Sequence, residues 1–236
     1  GLHAQMQAPY LYYYAVTTVG HDPQEHNPDR IGLMKSLQVA GGWERTYKGL
    51  PIKTKVETYY QYLFDVPVET KPSSFSMLNA GTGFGRIWPD TLQNTGVGRN
   101  YGLELTVERF FAGGFYFMTT ASLFDAKYQG SDGEWRNTVF NGRYAFNVLA
   151  AKEIKLGKNN RFNVGIKYTT VGGRWFGAQV DETETLRTGE IVFVDETNNT
   201  VQYRAYERFD LKLGYKWNNP NTAWEFGLDL SNLTSN

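Results

Sequence analysis

The sequence has no cysteine among its 236 residues, and its three histidines all lie within the first 26 positions. Disulfides, thiolate zinc sites and cysteine nucleophiles are therefore excluded, and little remains from which to build a serine–histidine–aspartate triad. The 24 basic and 24 acidic residues balance, so net charge does not favour nucleic acid as a partner. From these absences we expect no enzymatic activity and no cofactor.

Long hydrophobic runs are also absent. No segment approaches the roughly 18 apolar residues of a membrane helix, and none shows a sustained 3.6-residue apolar period. The opening residues, GLHAQMQAPYLYYY, lack the basic start and the apolar core of a signal peptide. These absences leave a transmembrane β-barrel open, because a barrel hides its apolar surface in alternation.

The composition favours β-strands, since aromatic residues make up 16% of the chain and glycine occurs 25 times. In KVETYYQYLFDVPVE, which begins at Lys55, aromatic and β-branched residues alternate with polar ones for about ten positions, which indicates a strand. Similar alternation predicts an all-β fold of eight strands. These are Lys35–Tyr47, Ile52–Asp65, Arg99–Phe111, Phe115–Tyr128, Arg143–Leu156, Arg161–Trp175, Arg204–Trp217 and Ala223–Leu233.

The connections between these strands alternate between tight turns and long polar links. The long links are Val66–Gly98, Gln129–Gly142 and Phe176–Tyr203. This alternation is typical of an antiparallel up-and-down barrel in an outer membrane, with short turns on the periplasmic side and long loops outside. Strand length supports it, because thirteen residues tilted by about 40° rise roughly 33 Å, whereas strands of globular proteins average about 5–6 residues.

The same physics assigns the two faces of the strands. An arginine or lysine that faces lipid at mid-membrane costs about 2–4 kcal/mol, so the row with Asp210, Lys212 and Lys216 should face the lumen. Leucines such as Leu103 and Leu213 should then face lipid. Rings near the strand ends are expected in the aromatic girdles. The candidates are Tyr144, Trp175, Trp217 and Trp224.

Several segments together resemble the late barrel region of TonB-dependent receptors. They are GLHAQMQAP, KVETYYQYLFDVPVE, SFSMLNAGTGFG, GVGRNYGLELTVERFF and LDLSNLTSN. The resemblance implies part of a 22-stranded barrel around an N-terminal plug, in the outer membrane of a Gram-negative bacterium. Such receptors import siderophores, cobalamin, glycans or peptides with energy delivered through TonB.

The resemblance also implies that residues 1–236 are the C-terminal portion of that barrel, with the plug domain and the TonB-contacting residues upstream. The tight turn Asn218–Thr222 would lie on the periplasmic side, so the last predicted strand would run from there to the outer surface. Because both ends of such a barrel lie in the periplasm, we expect one more descending strand after it. The eight strands would then occupy positions 14 to 21. Expected partners are membrane lipid, the plug domain, the TonB complex, a nutrient and, as a further candidate, a surface lipoprotein.

Five aromatic and basic residues are candidates for ligand contact: Trp88, Trp135, Arg136, Arg174 and Trp175. The same residues would also suit an aromatic girdle or loop packing. HDPQEH, residues 21–26, offers two histidines five apart without a third, which makes a poor metal site, and we expect none. The glycines of AGTGFGR, residues 80–86, lack the βαβ unit that a nucleotide-binding loop needs.

Two other classes of protein stay open from the sequence. A soluble or surface-attached carbohydrate-binding β-domain would use exposed aromatic rings to stack on sugars. A passive porin or a barrel enzyme would share the alternating strands but would lack an upstream plug.

Overall fold

The computed structural model describes residues 2–7, 32–79, 89, 91–189 and 191–234. Within them the chain is built from strands, with one α-helix, α1 (Glu182–Thr188), and short 3₁₀ turns at Met77–Asn79 and Asp195–Thr197. The strands are β1 (Leu2–Gln7), β2 (Met34–Thr46), β3 (Ile52–Glu69), β4 (Leu92–Ala112), β5 (Phe115–Gln129), β6 (Trp135–Asn137), β7 (Tyr144–Leu156), β8 (Asn160–Val171), β9 (Trp175–Phe176), β10 (Val201–Gln202), β11 (Tyr206–Asn218) and β12 (Ala223–Leu230).

One antiparallel sheet contains all eight predicted strands, which confirms the all-β prediction. Its order is β1-β2-β3-β4-β5-β7-β8-β11-β12, with β6 added beside β5. Each long strand thus pairs with its sequence neighbours, as an up-and-down topology requires. Within the described residues the sheet does not close, and β1 and β12 are its ends. Strand β1 was not predicted, because GLHAQMQ is too short to show a clear period of two.

The tight turns and the long connections lie at opposite ends of the sheet. The turn between β4 and β5 consists of Gly113 and Gly114, both with positive φ, a conformation that glycine adopts without strain. At the other end, the long connections carry β6, β9, β10 and α1. The alternation of connection length therefore separates the two ends, as predicted.

Cross-strand register sorts the side chains onto two different faces. Leu211 lies opposite both Ile166 and Leu230, and Leu103 lies opposite Leu123. On the other face, Asp210 lies opposite Lys167, and Glu57 opposite Glu104. We call these the apolar face and the polar face. The predicted assignment of residues to faces is confirmed for the strands whose alternation was clear in the sequence. For β5 the sequence predicted no faces, and its register with β4 places Leu123 opposite Leu103 on the apolar face.

Several strand boundaries differ from the prediction. Strands β3 and β4 run on together to Glu69 and Leu92, through register shifts near Val66 that break the alternation visible in the sequence. Strand β8 ends at Val171 instead of Trp175. Just beyond its end the backbones of Gly142 and Gly172 approach so closely that a Cβ on Gly172 would overlap the Gly142 carbonyl oxygen.

The last strand also differs, since β12 ends at Leu230 rather than Leu233. Asn232 has a positive φ and donates its backbone N–H to the Asp210 carboxylate, which turns the chain out of the ladder. None of the described helices is long and apolar enough to cross a membrane.

Buried apolar side chains lie at the long-connection end of the sheet, not along its middle. Val66, Met77 and Leu92 form a cluster against which partly buried residues pack. In contrast, apolar-face residues in mid-strand are open, such as Leu103 at 48% exposure and Phe226 at 58%. An apolar face this exposed needs an apolar surrounding, which a lipid bilayer provides.

Neighbouring residues on β11 test this placement. We expect Leu213→Arg to impair assembly of the full-length protein, because Leu213 lies between Val164 and Leu228 on the apolar face. An arginine facing lipid at mid-membrane costs about 2–4 kcal/mol. Gly214→Arg is the matched control, since Gly214 faces the polar side and a Cβ there meets Asn163 at an ordinary 3.6 Å. Heat-modifiable migration of outer-membrane fractions reads out folding. Equal damage from both variants would contradict the face assignment.

Candidate functional site: the loop cluster and the polar wall

The long connections pack against one another into a single assembly. We call the described residues within 70–79, 130–143 and 172–205 the loop cluster. Its first and third segments meet at Ser74, whose backbone N–H donates to Asp195 Oδ1 at 2.8 Å. Asn198 Nδ2 donates to Ser74 Oγ at 2.8 Å. These contacts join residues more than 120 positions apart in the sequence.

The second segment is tied to the other two through backbone and amide groups. Val139 N–H donates to Asn79 Oδ1 at 3.1 Å, and Trp175 N–H donates to the Val139 carbonyl at 3.1 Å. Hydrogen bonds therefore run between all three segments.

Asn141 lies at the centre of the loop cluster and is fully buried. Its Nδ2 donates to Asp125 Oδ1 at 2.7 Å and to Asn137 Oδ1 at 3.0 Å. Its backbone carbonyl accepts the indole N–H of Trp175 at 2.6 Å. Among the described residues its Oδ1 has no partner. Asn141 thus joins strand β5 to the second and third segments.

Tyr128 supports the cluster from below, at the end of β5 beyond the part that would span a membrane. Its side chain is fully buried, and its hydroxyl accepts a hydrogen bond from Asn199 Nδ2 at 3.3 Å. Burial raises the pKa of Tyr128 to about 12, so the hydroxyl stays neutral at physiological pH. A neutral hydroxyl can lie in this buried position without a counter-ion.

Two of the predicted ligand-contact residues are engaged inside the cluster. Trp175 is 8% exposed, so it does not belong to an aromatic girdle on the apolar face, and that prediction was wrong. Arg136 pairs with Asp132 at 2.7 Å. Burial alone would lower the pKa of Arg136, but the hydrogen bond and charge of Asp132 raise it overall.

Two other predicted residues keep an accessible surface. Trp135 is 39% exposed and has the Arg99 guanidinium 4.3 Å above its ring. Arg174 is exposed and lies 5.3 Å from the Phe140 ring. The structure therefore buries Trp175 and most of Arg136 inside the cluster and leaves Trp135 and Arg174 accessible at its surface. Their contact with a ligand stays a prediction.

Some predicted positions lie outside the described residues: Trp88, the histidine-containing segment 21–26, and the glycines Gly81, Gly83 and Gly85. In the part of the chain that the structure describes, no group of three histidine, aspartate or glutamate residues could hold a metal ion.

The polar face carries a cavity of about 450 Å³ on strands β2, β3 and β4. Glu57 and Glu104 lie directly opposite each other in its wall, beside Tyr59. Lys55 Nζ lies 2.7 Å from Glu57 Oε2 and offsets part of this charge. Two adjacent carboxylates in a hollow can bind a cationic group or accept hydrogen bonds from hydroxyl groups. We call this hollow the wall cavity.

Sequence reasoning missed the residues that organise both features. Asn141, Asn199 and Tyr128 are ordinary polar residues in a loop and at a strand end, and no local pattern distinguishes them. The wall cavity could be anticipated only in part. The polar positions of β3 and β4 were visible, but the register that opposes Glu57 and Glu104 was not.

Replacement of Asn141 tests the loop cluster. We expect Asn141→Ala to leave the sheet folded but to loosen residues 130–143 and 172–205, because Asp125 and Asn137 lose a buried donor. Loss of such a bond costs about 1–3 kcal/mol, so amide exchange in these segments should accelerate about tenfold or more. Asn219→Ala, in an exposed tight turn, is the control. Unchanged exchange in both segments would contradict the central role of Asn141.

Comparison with known proteins agrees with this architecture. A family model described as "TonB dependent receptor-like, beta-barrel" matches residues 34–233. A search among curated proteins finds no match. The family match spans all the predicted strands, the loop cluster and the wall cavity. The chain therefore belongs to the TonB-dependent receptor β-barrel family.

Proposed function

We propose that this chain forms part of the barrel of an outer-membrane receptor that binds and imports a scarce nutrient with energy delivered through TonB. Membership of a family of outer-membrane transport receptors supports this function. Siderophores, cobalamin, glycans and peptides are the candidate nutrient classes. The position of the chain in the C-terminal third of a 22-stranded barrel stays a prediction from the sequence resemblance.

The observation that carries the proposal is the opposite chemistry of the two faces under one loop cluster. The apolar face presents Leu105, Ile166 and Phe226 as an exposed surface suited to lipid. The polar face presents charged residues such as Lys167 and Glu104. A wall that is apolar outside and charged inside separates lipid from a wet or protein-filled interior.

The polar face also suits the partners that the proposal requires. A plug domain or a passing nutrient would meet the wall cavity, where Glu57 and Glu104 offer acceptors. A nutrient would first meet the loop cluster, where Trp135 and Arg174 are accessible. The TonB complex would act through residues upstream of this chain, and a surface lipoprotein would approach the loop cluster from outside.

A soluble carbohydrate-binding β-domain agrees less well with the packing. Such a domain buries one face of its sheet against a second layer. Here the apolar face of β11 and β12 is open, with Trp217, Trp224 and Leu228 each about half exposed. The exposed rings are thus spread over the side of the strands and are not gathered at a sugar-binding surface.

An epitope tag tests the proposed topology. A tag beside Leu186 in α1 should be detected on intact cells, because Leu186 is 86% exposed in the third long connection. Asp132, in the second long connection, is a less suitable position, because a tag there would disturb the ion pair between Asp132 and Arg136. A tag beside Asn159, in the exposed turn between β7 and β8, should be detected only after permeabilisation. The reverse labelling would show that the strands run in the opposite direction.

Uptake measurements test transport itself. In a strain that lacks the gene, uptake of one labelled nutrient from a panel of ferric siderophores, cobalamin, oligosaccharides and peptides should be lost, and the full-length gene should restore it. A protonophore should abolish the restored uptake, because the energy comes from the inner membrane. Restored uptake that is insensitive to the protonophore would indicate a passive pore and contradict the proposal.

A further inference from the structure

Cationic side chains lie near both ends of the strands on the apolar face. On β4, Arg99 and Arg109 share this face with four uncharged residues between them, and on β2 Lys35 and Arg45 do the same. Ten residues of a tilted strand rise about 25 Å, which matches the height of the apolar band in outer-membrane barrels. Each pair therefore marks an outer rim, toward the loop cluster, and an inner rim, toward the tight turns.

The inner-rim cations on β4 and β7 have partners within the protein. Arg109 Nη2 donates to the Ala112 carbonyl at 3.2 Å, and Lys152 Nζ donates to the Gly113 carbonyl at 3.3 Å. The first carbonyl is at the end of β4, and the second is in the tight turn between β4 and β5. Each of these cations thus binds a backbone carbonyl group at this turn.

The outer rim is different. Lys35 pairs with Asp65 at 2.6 Å, but Arg99 lies directly opposite Lys127 on the next strand. Like charges in this arrangement repel each other. Among the described residues Arg99 forms no ion pair, and its Nε is buried without a hydrogen-bond partner, as is the Nε of Arg109 at the inner rim. The difference between the rims is therefore the cation that lies opposite Arg99.

Asp125 offsets this charge only in part. Its Oδ2 lies 3.8 Å from Lys127 Nζ and accepts the Tyr101 hydroxyl at 3.0 Å. Its Oδ1 accepts Asn141 Nδ2. This one carboxylate accepts two hydrogen bonds and lies beside Lys127, and it faces two cations on the outer rim, Arg99 and Lys127, with a single negative charge, so a positive charge is left over.

Trp135 contributes an aromatic ring beside these cations. Its ring stacks with the Arg99 guanidinium, and the neighbouring Lys127 side chain is 33% exposed. The stack holds the planar guanidinium in a fixed orientation, which suits recognition of a tetrahedral oxyanion through several hydrogen bonds. We call Arg99, Lys127 and Trp135 the outer-rim site.

We propose that the outer-rim site binds the phosphate of an anionic lipid headgroup in the outer leaflet. Its cations lie at the border of the apolar band, on the face turned away from the polar interior. An anion reaches this border most readily when it is attached to a lipid. The proposal depends on the membrane placement in the proposed function and does not depend on transport.

The experiment uses the full-length receptor, reconstituted in phosphatidylcholine vesicles with or without phosphatidylglycerol and then extracted for native mass spectrometry. The wild type should retain phosphatidylglycerol in preference to phosphatidylcholine. Arg99→Gln with Lys127→Gln should weaken this retention about thirtyfold, the factor expected for two basic residues near an anionic lipid surface. The control is Lys48→Gln with Lys158→Gln, which makes the same charge change at exposed tight turns.

The outcomes separate the alternatives. Loss of retention in the outer-rim variant, with the control unchanged, supports the site. Equal loss in both variants would show a general charge effect and overturn it, as would retention by the outer-rim variant at the wild-type level. Displacement of the lipid by inorganic phosphate would overturn the lipid assignment in favour of a free anion. A receptor that extracts without detergent would contradict the proposed function itself, whereas failure of lipid selectivity alone would not.

Discussion

Pairing of backbone N–H and C=O groups between neighbouring strands is the constraint on which the rest of this structure depends. Inside a bilayer no water can satisfy these groups, and each unpaired one costs several kcal/mol. From β2 through β12 each long strand pairs antiparallel with its neighbours. The register shifts where β3 passes Val66 and near the tight turn that follows β4. Because strand side chains alternate, the same ladder produces one apolar face and one charged face.

This arrangement reverses the usual distribution of apolar residues. Among the described residues, no buried apolar layer covers the outer side of the middle of the sheet, and lipid takes the place of a core. Apolar burial within the protein is concentrated instead where the strands leave the membrane, around Val66, Met77 and Tyr128. There the loops need a core of their own, and buried amides such as Asn141 link segments that are distant in sequence.

The two rims connect membrane placement with the functional site. Arg99 belongs to β4 in the membrane but stacks on Trp135 in the second long connection. Asp125 lies between the rim and the cluster, since it contacts Lys127 on one side and Asn141 on the other. Lipid contact at the outer rim and loop order above it therefore share residues, so a change in one can affect the other.

The sequence by itself determined the strands, their faces and the separation of tight turns from long connections, because a period of two is a local property that neighbouring residues establish. It could not determine that Trp175 leaves the strand and is buried, or that Asn141 is central. Those outcomes depend on contacts such as Trp175 Nε1 to the Asn141 carbonyl and Ser74 to Asp195, between segments far apart in the chain. Only the tertiary structure brings these segments together, because the ladder places the ends of distant strands at one edge of the sheet.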